Sequence, residues 1–161
     1  MTVAEKTAKM KIDSPVMAAT SAEIRNKALL MVKEALIANK EKVFLANSKD
    51  LEAAKAEGIN PAVIKRLKFD EGKLAAVTEG IDQLIKLDDP IGKTLLKRQL
   101  DEGLILTRIS VPIGVIGVIF EARPDALVQI SSLCIKSGNC AVLKGGIFRR
   151  QTKRVPADGL H

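Results

Sequence analysis

Apolar residues recur at steps of three and four through the first half of the chain. After Asp88-Asp89-Pro90 they give way to short continuous apolar runs punctuated by glycine. The first spacing is that of amphipathic helices and the second that of strands. Ile24, Ala28, Leu29, Val32, Leu36 and Ile37 form a stripe predicting a helix capped by Thr20 or Ser21, with Glu23 near its positive end, running to about Ala38. Val43, Phe44, Leu51 and Ala54 predict a second helix over roughly 40–56, closed by Gly58. Asn60-Pro61 has the form of an N-cap with proline at the first helical position, starting a short helix through Leu67. Asp70 caps a further helix from Glu71 to about Leu87, whose stripe is Leu74, Val77, Ile81, Leu84 and Ile85. Gly80 inside it costs about 1 kcal/mol relative to alanine, so a close helix contact is expected there. Val3 to Ala19 is weakly helical and is expected to break or restart at Ser14-Pro15.

Pro90 stops the helices, because proline disfavours the helical region for the residue before it. Residues 97–100 and 104–111 then flank Asp101-Glu102-Gly103, which predicts a hairpin with a three-residue connection. Ile113 to Phe120 is apolar on both faces apart from its glycines, as in a buried strand of a parallel sheet. Gly114 and Gly117 lack the Gly-x-Gly-x-x-Gly spacing of the dinucleotide fingerprint. Pro124-Asp125 opens a helix expected to bury Leu127, Ile130, Leu133 and Cys134, Gly138-Asn139 turns the chain, and Cys140 to Leu143 is a second strand. The fold class is therefore α/β: helices over 1–95, a hairpin arm over 96–111, a strand-helix-strand unit over 112–146 and a tail over 147–161.

Composition narrows the function. At 161 residues, with 47% hydrophobic and 28% charged residues, the chain has the make-up of one globular domain, or part of one, and not of a disordered tail. No apolar run reaches the roughly 18 residues of a membrane span, and the charged N-terminus has no apolar core behind it. A cytoplasmic setting without membrane contact is expected. Cys134 and Cys140 sit inside apolar patterns, where a thiol is a small hydrophobe sooner than a nucleophile, and no metal-type cluster is present in the sequence. The net charge of +7 concentrates toward the end, at Lys144, Arg149, Arg150, Lys153 and Arg154. With no Trp or Tyr and four Phe, stacking partners for bases are scarce, so a phosphate-bearing small molecule explains the cluster with less than a nucleic acid does.

In a doubly wound sheet, ligands sit beyond the carboxyl ends of the strands. Phe120-Glu121-Ala122-Arg123 ends the first strand and Lys144-Gly145-Gly146 the second. Lys144 is equally a point charge for a phosphate and a solvated strand end, and the glycines equally an anion cradle and a tight turn. Arg123 could pair with Glu121, which the residues alone favour slightly, or bind an anionic group with its guanidinium fork.

VPIGVIGVIFEARPDA from Val111 to Ala126, SGN at 137–139, LKGG at 143–146, DPIG at 89–92 and ANSKDL at 46–51 closely resemble the gamma-glutamyl phosphate reductases, or glutamate-5-semialdehyde dehydrogenases. These belong to the aldehyde dehydrogenase superfamily. The resemblance implies the start of an incomplete Rossmann-like parallel sheet and NADPH-dependent reduction of L-glutamyl 5-phosphate to glutamate 5-semialdehyde in proline biosynthesis. It implies a cysteine thiolate that attacks the acyl phosphate, and a thioester then reduced by hydride. It implies cofactor contacts at Phe120, Lys144, Gly145 and Gly146, substrate contacts at Glu121 and Arg123, no metal, and a homo-oligomer at full length. Such enzymes are more than twice as long, with the nucleophile in a later catalytic domain that Cys134 and Cys140 do not match. The expectation is an N-terminal portion, inactive alone, whose tail at 147–161 departs from its relatives; a nucleotide-binding or subunit-pairing fragment is the alternative.

Overall fold

The computed structural model describes residues 2–121 and 123–145. Five helices come first: α1 (Val3–Ala19), α2 (Ala22–Ala38), α3 (Lys40–Ala56), α4 (Pro61–Leu67) and α5 (Glu71–Lys86). The strands β1 (Thr94–Asp101) and β2 (Leu104–Ile109) follow, then β3 (Val115–Phe120), α6 (Pro124–Lys136) and β4 (Cys140–Gly145). The described residues thus form an α/β fold with an incomplete sheet. The caps expected from sequence are made: Ser21, Asn60 and Asp70 accept hydrogen bonds from backbone N–H groups of their own first turns.

Helices α2, α5 and α6 pack on one another, and α1 lies against β3 and β4. The core is centred on Phe69, Leu74 and Val77, with Leu36, Val43, Phe44 and Val128 around them. Phe44 and Phe69 meet at 6.4 Å between ring centroids, a tilted aromatic pair. The polar run on α3 has a structural use. Asn47 is buried, donates through Nδ2 to Leu67 O at 2.9 Å and accepts from Phe69 N at 2.7 Å, so one amide holds the chain between α4 and α5.

Several expectations are corrected. Helix α1 runs through Pro15 unbroken. Proline removes the N–H that would bond Lys11 O, and Ser14 Oγ donates to that carbonyl instead at 3.1 Å. The arm begins at Thr94, and its connection is two residues, because Asp101 pairs with Leu104. Gly103, at φ +72°, takes the left-handed position of the turn. Gly80 makes no close helix contact among the described residues: a Cβ there would meet nothing within 4 Å. Ile24 is exposed while Arg25 is buried, donating to Asp89 and to Thr20 O. Leu133, expected inside, is 57% exposed, and α6 buries Ser132, Cys134 and Lys136.

Strand β3 is not buried on both faces. Ile116, Val118 and Phe120 are half-buried, whereas Gly117 and Ile119 on the other face are exposed. An apolar strand needs cover on two sides, and here β4 is its one hydrogen-bonded neighbour among the described residues.

Candidate functional site

Strands β3 and β4 are parallel, in register from Val115 opposite Cys140 to Phe120 opposite Gly145. The start of the ladder is fixed by the Ser137-Gly138-Asn139 turn. Asn139 Oδ1 accepts from Gly114 N at 2.8 Å, and Cys140 N donates to Gly114 O at 2.9 Å. Gly138 has φ +67°, a backbone that favours glycine, and a Cβ on it would lie 2.6 Å from Ile91 Cδ1 and 3.2 Å from Pro112 Cγ, so the Ile91 side chain would have to shift to admit one.

With that register, the two sequence motifs converge at the carboxyl end of the ladder. Phe120 stands beside Gly145, and Lys144 beside Ile119. Register partners share a face, so Lys144 projects on the open side with Ile119, and Phe120 on the half-covered side. Lys144 and Glu121 are exposed. Gly146 and the tail at 147–161 lie outside the described residues, as does Ala122.

Among the described residues Arg123 pairs with Asp125, not with Glu121. Its Nη2 donates to Asp125 Oδ2 at 3.1 Å, from a side chain that is about half exposed. Asp125 is buried at the first turn of α6, where a carboxylate suits the helix dipole. Its Oδ1 has no hydrogen-bond donor among the described residues and lies 3.7 Å from Lys73 Nζ, which itself donates to Arg66 O at 3.0 Å. The site therefore gathers Arg123 and Lys73 around one buried carboxylate, with Lys144 at the neighbouring strand end. Lys73 and Asp125 are not among the site residues expected from the sequence. Asp125 carried a signal in its position after Pro124; Lys73 carried none, because the fold alone brings α5 to this end of α6.

The cysteines are elsewhere. Cys140 pairs with Val115 at the amino end of the ladder, five register steps or roughly 16 Å from Phe120 and Gly145. Cys134 is ten residues, about 15 Å along α6, from Pro124. It is buried, and burial pushes its thiol above the ordinary range, with a smaller contribution from Cys140. Neither thiol reaches the candidate site. Among the described residues no cluster of His, Cys, Asp and Glu could hold a metal ion, and no helix is long and apolar enough to cross a membrane.

No family model matches the chain. Individual proteins do. It is 49% identical over 157 residues to gamma-glutamyl phosphate reductase of Acetivibrio thermocellus, covering 98% of this chain and 36% of that protein. To the enzyme of the same name from Ruminiclostridium cellulolyticum it is 53% identical over 144 residues, 89% of this chain and 33% of the relative. The crystal structure of gamma-glutamyl phosphate reductase from Saccharomyces cerevisiae superposes with a TM-score of 0.91 at 38% identity, over 96% of this chain and 40% of that one. That from Thermotoga maritima gives 0.87 at 30% identity, over 92% and 36%. The chain thus spans about a third of the length of the curated relatives it matches, in their N-terminal part. The resemblance drawn from the residues is borne out.

Proposed function

We propose, starting from this match to the N-terminal part of gamma-glutamyl phosphate reductase, that the chain supplies the cofactor- and substrate-facing portion of an NADPH-dependent reductase of the cytoplasm. Its substrate is L-glutamyl 5-phosphate, and its product, L-glutamate 5-semialdehyde, feeds proline biosynthesis. The observation that carries the reading is the register of β3 and β4, which brings the FEAR and LKG segments to one end of one ladder. The exposed cations there suit anionic groups: Lys144 for the phosphates of NADP, Arg123 for the acyl phosphate or the carboxylate of the substrate. Phe120 and Gly145, side by side, line the cofactor approach, and Glu121 the substrate side. NADPH, when bound, supplies a hydride. In the reaction a thiolate displaces phosphate from the acyl carbon, the phosphate leaving with the electron pair of the C–O bond. Reduction of the resulting thioester then releases the thiolate and the aldehyde.

The thiolate is not Cys134 or Cys140, whose positions at the far end of the ladder and of α6 support a nucleophile outside these 161 residues. Expressed as these 161 residues, the chain turns over nothing. A chimera in which it replaces the matched third of the Acetivibrio thermocellus reductase is active. The assay is NADP reduction with semialdehyde and phosphate. Turnover by the 161-residue chain, or an inactive but folded chimera, contradicts the proposal.

A second reading, a subunit-pairing fragment, is favoured by the arm. Every residue of β1 and β2 is exposed, including Leu95, Leu100, Leu104 and Ile105 at more than half. A two-stranded ribbon whose outer edges are unpaired among the described residues, with apolar side chains, is a surface built to pair, which fits a homo-oligomer. The two readings are compatible: the arm joins subunits and the ladder end serves the chemistry.

A further inference from the structure

Helices α5 and α6 enclose a groove that the proposed chemistry does not use. It has a volume of about 260 Å³ and is lined by Val77, Gly80, Ile81 and Leu84 from one side and by Ser132 and Leu133 from the other. Three features set it apart from an incidental gap. Gly80 sits in the middle of α5, in ordinary helical conformation, at a cost of about the difference in helix propensity between glycine and alanine. Nothing among the described residues requires it: a Cβ there would have open space on every side. Ser132 is 3% exposed, and its Oγ has no hydrogen-bond partner among the described residues, although a serine on a helix can usually bond a carbonyl of the preceding turn. Leu133, beside it, is an apolar side chain more than half exposed.

A glycine with no internal use, a buried hydroxyl with no partner and an uncovered leucine are explained together by an element that lies across Gly80. It would approach closely where the side chain is missing, cover Leu133 and accept a hydrogen bond from Ser132. We infer that this groove receives an apolar helix from the remaining two-thirds of the gamma-glutamyl phosphate reductase fold. A helix fits because side-chain-free positions let two helix axes come close. The occupant belongs to the reductase because the chain superposes on the yeast enzyme with a TM-score of 0.91 while covering 40% of it. The greater part of that fold must therefore pack on faces that are open here. The inference rests on the proposed function, since it takes the chain to be the N-terminal portion of such a fold.

The test compares the 161-residue chain with the chimera carrying the rest of the Acetivibrio thermocellus enzyme, each as wild type, Gly80→Ala, Gly80→Leu and Ser132→Ala. In the 161-residue chain all three substitutions leave the melting temperature unchanged or raise it, because they fill empty space or remove an unpaired hydroxyl. In the chimera Gly80→Leu lowers the melting temperature by about 5 °C or more, Gly80→Ala by less, and Ser132→Ala by a few degrees. Gly80→Leu also reduces NADP-dependent activity severalfold. A chimera that is active and indifferent to all three substitutions overturns the groove assignment while leaving the reductase reading intact. A folded chimera without activity overturns the reductase reading itself. A Gly80→Leu loss already present in the 161-residue chain means that the groove is filled from within, or by a second copy if the loss depends on concentration, and overturns the assignment as well.

Discussion

At the scale of single residues, the helical half is held by polar groups whose partners are distant in sequence. Asn47→Ala strands Leu67 O and Phe69 N in a buried setting, at about 1–3 kcal/mol for each group left unpaired, and Asn47→Asp restores one bond of the two. Urea unfolding of the three chains checks both statements. Asp70 accepts from Lys73 N as the cap of α5, and its ion pair with Lys68, then that backbone bond, hold its carboxyl below the usual range. A carboxylate depressed in the fold contributes stability above its unfolded pKa and loses it as pH falls through the lower folded value. Asp70→Asn therefore costs most near neutrality, where the ion pair with Lys68 is lost although asparagine still caps, and its difference from wild type closes below about pH 4, which flattens the acid limb of the stability profile. The polar ANSKDL run could be seen to be unusual, but not to be a clamp, because its partners lie 20 and 22 positions on. Likewise Arg25, buried in place of Ile24, is met by Thr20 O nearby and by Asp89, 64 positions away.

Among the elements, those with strong local signals were legible. The stripe of α5, the proline start of α4 and the glycine turn of the arm each follow from residues within one or two turns. The misreadings arise where a neighbour decides. The sequence points to a break at Pro15 because the rescue by Ser14 depends on a rotamer, and to a buried Leu133 because an apolar stripe does not say which flank meets α5. The turn between α6 and β4 is closely packed around Gly138. Gly138→Ala must place a methyl group against Ile91 and adopt a left-handed backbone, and is expected to destabilise the chain by more than about 1 kcal/mol. A control at Gly58, also at positive φ but with open space, shows a smaller loss that measures the backbone share alone. Cysteine chemistry belongs to the same region. Iodoacetamide at neutral pH is expected to modify half-buried Cys140 first and to reach Cys134 only on unfolding, since burial keeps that thiol protonated. Equal rates at the two cysteines contradict the packing described for α6.

For the whole molecule, the strand-helix-strand outline and the two ends of its ladder were readable, whereas the distribution of burial was not. Sequence pattern reports what a strand is made to meet, and β3 carries Ile119 at 85% exposed, with nothing over that face among the described residues. The candidate site was half readable for the same reason. Phe120, Glu121, Arg123, Lys144 and Gly145 stand in the motifs, but Asp125 and Lys73 enter through tertiary packing. The arm gives a prediction at this scale. Shortening 95–109 to a glycine turn leaves the melting of the helical half unchanged and reduces the mass of the chimera in sedimentation to that of a monomer.

The claim that the carboxyl end of the β3–β4 ladder faces the cofactor is tested most directly by Lys144→Ala in the active chimera, with initial rates measured against NADP and against semialdehyde in turn. Loss of a charge-assisted contact to a phosphate is worth about 1.5–3 kcal/mol, so the KM for NADP is expected to rise roughly tenfold or more while the KM for semialdehyde holds. An unchanged KM for NADP would place the cofactor away from this strand end and contradict the account.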